Sequence, residues 1–405
     1  MSAARPYVPR PGVRSLAAPQ FPRTRRQSFR IWWREIDRVL LVLVLLLMAV
    51  GAIAVAAASP ASARRLSGSE GSLADLHFFW LHLGFQLMGL VVLVGTSLVP
   101  QVAVRRGSLL FAGAMLVALA LVPFLGSEVN GARRWLNLGI RFQPSEFLKP
   151  AFVVATAWVL SWRLRDPDLP VIGISCFLLG LVVLLMMLQP NLGDAILFIG
   201  AWFVLVTLAG LPLKRIGILG GAGVAFIALA YLTYDNARHR IDSFLGGGTA
   251  YDQVDLASRT IMAGGWTGSG LWLGTRKMML PEAHTDYIFS VIGEEFGLLV
   301  CGMVVVLYLA IVLRVLARLI DEDNLFTLLS AAGLTALFGG QAFINILVNL
   351  QLFPSKGMTL PLVSYGGSST IAQCLLVGLL LAITRRNPYL SRETFALPRA
   401  AGGEN

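Results

Sequence analysis

Ten apolar runs leave this chain few ways to fold; they lie at approximately 39–58, 78–99, 108–125, 147–162, 171–188, 192–209, 216–232, 287–315, 325–348 and 365–383. Most approach the ~20 residues a helix needs to cross ~30 Å of hydrocarbon. Hydrophobic residues fill 56% of the 405 positions and charged residues 14%, with a mean hydropathy of +0.72, which leaves too little polar surface for a soluble domain. In lipid every backbone polar group must be satisfied within the protein, and the runs lack the alternation of a barrel, so they read as helices. The expected fold is an all-α polytopic membrane protein of about ten transmembrane helices. A large extracytoplasmic loop at 233–286 separates the seventh from the eighth.

Nine arginines precede the first span, in a Pro-rich tail whose composition reads as disordered. Trp32 and Trp33 follow as an interfacial anchor. Ala61-Ser62-Ala63 resembles a cleavage site, but the roughly twenty apolar residues before it exceed the ~7–15 of a signal-peptide core, so a retained anchor is expected. The domains expected are a cytoplasmic basic tail at 1–37, a membrane domain at 38–386 and a cytoplasmic tail at 387–405. With both termini inside, 21 of the 33 basic residues fall on the cytoplasmic side. Cys176, Cys301 and Cys374 all lie in apolar runs, which points to neither disulfides nor a metal cluster.

The other 12 basic residues cluster in the outer segments, where an anionic lipid headgroup would account for them. For Arg238 and Arg240 a solvated loop face serves equally well. Asp286 sits where the long loop re-enters the bilayer, in Leu280-Pro-Glu-Ala-His-Thr-Asp-Tyr-Ile-Phe289. An ionisable cluster there is expensive to keep, so Asp286 is the first candidate for a catalytic group. Arg133-Arg134-Trp135, set between glycines, suits a ligand better than an interfacial belt, and Glu146 and Lys149 are spaced to pair on one helical face. Asp194, in Gln189-Pro-Asn-Leu-Gly-Asp194, reads as functional or as a helix cap. The glycine-dense turn Gly264–Gly270 permits close backbone approach to a ligand or is an ordinary turn. Glu294, ~12 Å below Asp286 along a helix, is expected to pair within the bundle. Pro354–Ser369 is a broken segment at the membrane boundary, where Lys356 faces a ligand or merely snorkels.

Pro281-Glu-Ala-His-Thr-Asp-Tyr-Ile-Phe289, Gly131-Ala-Arg-Arg-Trp-Leu-Asn-Leu-Gly139 with Gln143-Pro-Ser-Glu-Phe-Leu-Lys-Pro150, and Leu360-Pro-Leu-Val-Ser-Tyr-Gly-Gly-Ser-Ser369 together resemble the SEDS family of membrane glycosyltransferases. These enzymes build peptidoglycan strands, and the resemblance runs from the first span to the tenth. Gln341-Ala-Phe-Ile-Asn-Ile346 and Ser355-Lys-Gly-Met-Thr-Leu-Pro361 resemble the FtsW-like, cell-division branch more than the RodA-like, elongation branch. Asn191 departs from the Asp of the family's Gln-Pro-Asp-x-Gly turn, Leu271-Trp-Leu-Gly-Thr-Arg276 from its Gly-Leu-Gly pattern, and Tyr287 from its commoner Phe.

The resemblance implies a septal enzyme of the bacterial inner membrane that joins lipid II to a strand carried on undecaprenyl pyrophosphate. Asp286 would be the general base, with Arg133, Arg134 and Lys356 on the leaving pyrophosphate. Trp135, Lys149, Gln189, Asn191, Glu282, His284, Thr285, Ser364 and Tyr365 complete the candidate substrate-binding set. No cofactor is certain, and a divalent cation, Mg or Mn, is left open. The implied partners are a class B penicillin-binding protein transpeptidase, other divisome proteins and membrane lipid, without nucleic acid. The alternative is a lipid II flippase, for which Asp194, Glu294, Glu295 and broken helices would suit alternating access; no inverted repeat supports it.

Overall fold

The computed structural model describes residues 25–67, 73–129, 132–137, 139, 141–164, 166, 168–246 and 253–386. Most of the two expected tails, Gly131 and the middle of the long loop at 247–252 lie outside the described residues. The chain divides into two units, Met1–Glu35 with Asn387–Asn405, and Ile36–Arg386. In the first, Arg25–Glu35 forms a helix, α1, which corrects the expectation of disorder for that stretch of 1–37. Phe29 and Trp32, one turn apart, place their rings 5.1 Å from each other and favour the helix locally.

The second unit opens with α2 (Arg38–Leu66), α3 (His77–Ser97) and α4 (Gln101–Leu125). A small antiparallel sheet follows, of β1 (Ser127–Val129), β2 (Ala132–Asn137) and β3 (Arg141–Phe142), with β2 central. Then come α5 (Pro144–Ser161), α6 (Val171–Leu188), α7 (Leu192–Leu208), α8 (Leu213–Thr233), α9 (Asp235–Leu245), α10 (Gln253–Gly264), α11 (Ile288–Leu319), α12 (Leu325–Asn349) and α13 (Gly367–Ile383). Each of the ten apolar runs coincides with one of α2 to α8 or α11 to α13. Eight of these are long and apolar enough to span a bilayer, while α7 and α13, at 17 residues each, are shorter. The chain is an α-helical, multi-pass membrane protein, and the sheet is its one described departure from an all-α reading.

Charge joins the start of α2 to the end of α11. Asp37 caps α2 by accepting from the N–H groups of Val39 at 3.1 Å and Leu40 at 3.2 Å. The same carboxylate, buried, pairs with Arg314 at 2.9 Å and Arg318 at 2.8 Å, one turn apart on α11. A cap for one helix is thereby a clasp for two.

At their other ends α2 and α11 are held by the long loop. Pro60 lies inside α2 and lacks the N–H that would bond the carbonyl of Ala56. The indole N–H of Trp272 donates to that carbonyl instead, at 3.0 Å, and Lys277 Nζ donates to the next one, Ala57, at 2.9 Å. α11 is broken at Gly297, whose φ of 83° and ψ of 174° are non-helical. The Gly264–Gly270 turn inserts at the break. Ser269 and Gly270 donate to the carbonyls of Glu294 and Glu295 at 2.8 and 3.0 Å, while Leu298 and Leu299 donate to the carbonyls of Gly265 and Trp266 at 3.0 and 3.3 Å. The close backbone approach that the glycines permit is made to α11.

Glu294 and Glu295 complete this joint. Glu294 accepts from the backbone N–H groups of Arg276 at 2.6 Å and Lys277 at 2.8 Å. Glu295 accepts from Lys277 Nζ, the Trp272 N–H, and the Gly274 N–H at 3.2 Å. The partner expected for Glu294 within the bundle is thus loop backbone. A side chain at 297 would need φ > 0, and its Cβ would lie 2.4 Å from the Trp266 carbonyl. Gly297→Ala is expected to destabilise the protein by roughly 2–4 kcal/mol, the sum of backbone strain and overlap. Gly302→Ala, on the same helix with open space around it, is the control in thermal unfolding of the detergent-solubilised protein.

Candidate functional site

One cavity gathers residues from four separate stretches of the chain. A cavity of about 370 Å³ lies between α7, α8, α9 and the Phe353–Gly357 stretch. Its walls are largely apolar, with Ile196, Ile227, Phe244 and Phe353 among them, and three cations, Arg134, Arg240 and Lys356, face into it. Each cation is oriented by a neutral carbonyl, so its position is fixed while its charge stays available. Arg134 donates to the carbonyls of Gln189, at 3.2 Å, and Pro190; Arg240 donates to Ser355 at 3.2 Å; Lys356 donates to Gly193. The Lys356 stem passes so close to Gly193 that a Cβ there would force the lysine side chain to move.

Asp286 stands beside this cavity. A Cβ on Gly357, which lines the cavity, would lie 2.9 Å from Asp286 Oδ2. The Asp286 peptide is anchored from α12, where Asn345 and Asn349 donate to its carbonyl at 2.8 and 3.2 Å. Asn345 also donates to the Met358 carbonyl at 2.6 Å, tying the two loops together. Burial pushes the Asp286 carboxyl up to about 7, helped by the like charge of Glu282 and opposed by Arg240 and Arg134. Burial also brings Lys356 down to about 7, against the pull of Asp194 and with Lys149 adding to the fall. A carboxyl pushed up and an ammonium brought down toward neutrality thus flank one cavity.

The remaining candidates divide by place. Arg133 is exposed on β2 and pairs with Glu128 at 3.5 Å, so it does not line the cavity. Successive residues on a strand point to opposite faces, and only Arg134 of the two turns inward. Trp135 is half-buried on the same strand, opposite Ser127. Lys149 is buried between Glu146 at 2.7 Å and Asp194 at 2.9 Å, beneath the cavity and not in its wall. Ser145 and Asn191 donate to the other Asp194 oxygen at 2.9 and 2.8 Å. The cap of α7 is Asn191, which frees Asp194 for this network. Asn191 lines the cavity, whereas the Gln189 side chain is turned away, donating to the Leu119 carbonyl at 2.8 Å.

Glu282 is exposed and accepts from Thr285 Oγ1 at 2.9 Å in the tight turn before Asp286. His284 is buried against Phe78 and Tyr365, with ring centroids 4.4 and 5.2 Å away. Burial lowers its imidazole to about 4, so it is neutral at physiological pH. Tyr365 donates its N–H to the His284 carbonyl at 2.9 Å, and Ser364 Oγ accepts from the Leu360 N–H at 2.8 Å. These residues shape the loops that carry Asp286 and Lys356 and stand outside the cavity wall.

Arg240, Asn345 and Asn349 belong to the site although the sequence reading had not selected them. Arg240 was legible only as one of several charges on an outer segment. Two asparagines one turn apart in an apolar helix were the signal for the other pair. Among the described residues, no group of three or more His, Cys, Asp or Glu side chains could hold a metal ion. Glu146 and Asp194 approach each other with Lys149 already between them, so the donors present do not fit a divalent cation there.

Fold and site together define a polytopic membrane protein that presents a cationic, apolar-walled cavity to one carboxylate. The chain belongs to the FtsW/RodA/SpoVE family, whose model, described as "Cell cycle protein", matches residues 37–389. A probable peptidoglycan glycosyltransferase FtsW from Caulobacter vibrioides is 36% identical over 95% of this chain and 99% of its own. The protein of the same description from Taylorella equigenitalis is 35% identical over 78% of this chain and 90% of its own. A chain from a solved peptidoglycan synthase complex, in which polymerization and crosslinking are coordinated, matches with a TM-score of 0.71 and 28% identity, covering 87% of this chain and 98% of that one. The crystal structure of the rod shape determining protein RodA from Thermus thermophilus matches with a TM-score of 0.64 and 28% identity, covering 87% and 97%.

The split between the adjacent arginines is open to direct measurement. Arg134→Gln is expected to weaken binding of inorganic pyrophosphate by roughly tenfold or more, the value of one charge-assisted contact. Arg133→Gln should leave it within about twofold, as read by isothermal titration on the detergent-solubilised protein.

Proposed function

We propose that this chain is a peptidoglycan glycosyltransferase that polymerises lipid II into glycan strands during septal cell-wall synthesis. The observation that carries the reading is the placement of Arg134, Arg240 and Lys356 in one apolar-walled cavity beside Asp286. A polyprenyl pyrophosphate offers the matching chemistry, with an acyl-like tail for the walls and two phosphates for the cations. The acceptor's own pyrophosphate is separated from its reactive 4-hydroxyl by two sugar rings. The donor's pyrophosphate is bonded directly to the carbon under attack. Cations beside the base therefore suit the donor.

In this reading the acceptor hydroxyl oxygen attacks the donor anomeric carbon and Asp286 takes the hydroxyl proton. The bond from that carbon to phosphate breaks, and its electron pair leaves on the pyrophosphate facing the three cations. A positioned base contributes ~10²–10⁴-fold and the electrostatic stabilisation is often larger. Lys149, Gln189, Glu282, His284, Thr285, Ser364 and Tyr365 hold the surrounding loops. A divalent cation, if used, would be brought with the pyrophosphate, since the described side chains form no cage for it.

A class B penicillin-binding protein transpeptidase is the proposed partner, together with other divisome proteins. The match to a chain of a peptidoglycan synthase complex supports this. The inner membrane at the division septum, with both termini cytoplasmic, is the proposed location. The basic clasp of Asp37 with Arg314 and Arg318 supports that orientation. A flippase would work only across a bilayer, so polymerisation of labelled lipid II in detergent distinguishes the two readings.

Asp286→Asn is expected to abolish polymer while the protein stays folded, because an amide cannot take the proton. Polymer of wild-type length from that variant would remove Asp286 as the base. The rate should follow a narrow bell in pH. It rises as Asp286 ionises through about 7 and falls as Lys356 loses its proton through about 7. Glu282→Gln removes a like charge from Asp286 and should move the acidic limb to lower pH, as measured by initial rates from pH 5 to 9.

A further inference from the structure

The loop that carries Asp286 is held at both ends, and one hold is made by residues outside the cavity wall. Asn345 and Asn349 grip the Asp286 peptide itself. Nine to fourteen residues earlier the chain is fastened at Trp272–Lys277 to two helices, α2 and α11. Glu294 and Glu295 on α11 collect four backbone N–H groups, those of Trp272, Gly274, Arg276 and Lys277. The buried ammonium of Lys277 is shared between Glu295 and the Ala57 carbonyl of α2. Trp272 closes the ring on the Ala56 carbonyl that Pro60 leaves free.

None of these groups lines the cavity. Their cost is nevertheless high. Lys277 and Glu295 are each about 1% exposed, and an ion pair so buried is not retained for stability alone, since apolar side chains of the same volume often serve as well or better. What an ion pair does supply is a single registered geometry. From Lys277 the chain runs through a 3-10 turn, Pro281 and the Glu282–Thr285 turn directly to Asp286. Both Glu294 and Glu295 stand on the helix that begins two residues after Asp286, so the loop is pinned to its own continuation.

We propose that Trp272, Lys277, Glu294 and Glu295 form a brace that positions Asp286 for catalysis. They are positioning residues, acting through the 276–286 segment and touching no reacting atom. The inference rests on the reading of Asp286 as the base. A displacement of about 1 Å at a reacting group can lower the rate by about 10²-fold, so loosening the brace should act on turnover and spare binding.

The test compares wild type, Glu295→Gln, Trp272→Phe and Asp286→Asn in detergent, by lipid II polymerisation kinetics and by hydrogen–deuterium exchange. Glu295→Gln removes the charge and keeps the shape; Trp272→Phe removes a single N–H donor and keeps a ring. The expected result is a kcat lowered by roughly 10- to 100-fold in both brace variants, with KM within about twofold. Exchange should quicken within 276–287 and stay at wild-type rates in α12 and α13. Glu295→Asp, which keeps the charge, should recover part of the loss. Wild-type kcat in Glu295→Gln would overturn the proposal, as would faster exchange spread over the whole membrane domain. Failure of the underlying reading is separately visible, because polymer from Asp286→Asn removes the base whatever the brace variants do.

Discussion

A buried backbone group that leaves its own helix ladder must find a partner within the protein, and that constraint decides how this one is joined. Proline removes one donor from α2, and glycine breaks the hydrogen-bond ladder of α11. Each defect is answered by the same excursion of chain, Gly264–Lys277, which supplies donors to one helix and both donors and acceptors to the other. The loop is therefore a structural member of the membrane domain. It could not be shortened without leaving polar groups bare in two helices.

The basic residues divide into two populations on the same physical ground. Lys149 and Lys277 are buried and each meets carboxylates, so their charge is neutralised inside the protein. Arg134, Arg240 and Lys356 instead donate to neutral carbonyls at the cavity. The first population sets geometry and the second attracts an anion. Lys356 sits at their boundary: its stem crosses Gly193 beside the Asp194 network, while it lines the cavity. The network and the cavity are in this way two sides of one turn.

The membrane architecture was legible because an apolar run of twenty residues admits one structure, and all ten runs became helices. Asp286, Arg134, Lys356 and Asn191 were also singled out in the sequence, and the structure puts the last three in the cavity wall and Asp286 beside it. The rest depended on information that spacing does not carry. Lys149 was spaced to pair with Glu146, and its burial with Asp194 as well, 45 residues further on, follows from the packing of α5 on α7. Arg133 and Arg134 separate because six residues fold as a strand, too short a segment for its alternation to show. Arg240 read equally as a headgroup contact or a solvated charge, and its place in the cavity wall comes from the fold of α9. Pro60 was visible throughout, but only the tertiary structure reveals which donor it recruits.

The defects in α2 and α11 also have a level. From Arg38 to Ser59, and from Leu298 to Leu319, each helix runs about 22 residues without interruption, ~33 Å at 1.5 Å per residue. That is close to the ~30 Å of the hydrocarbon layer, so Pro60 and Gly297 fall together where the acyl chains end. The carboxylates of Glu294 and Glu295 then belong to the interfacial layer, at some distance from the bilayer midplane. Hydrophobic mismatch acts at that same boundary. A thicker or thinner membrane would press on the level where Gly264–Lys277 is wedged, which makes bilayer thickness a mechanical variable of the loop that ends at Asp286.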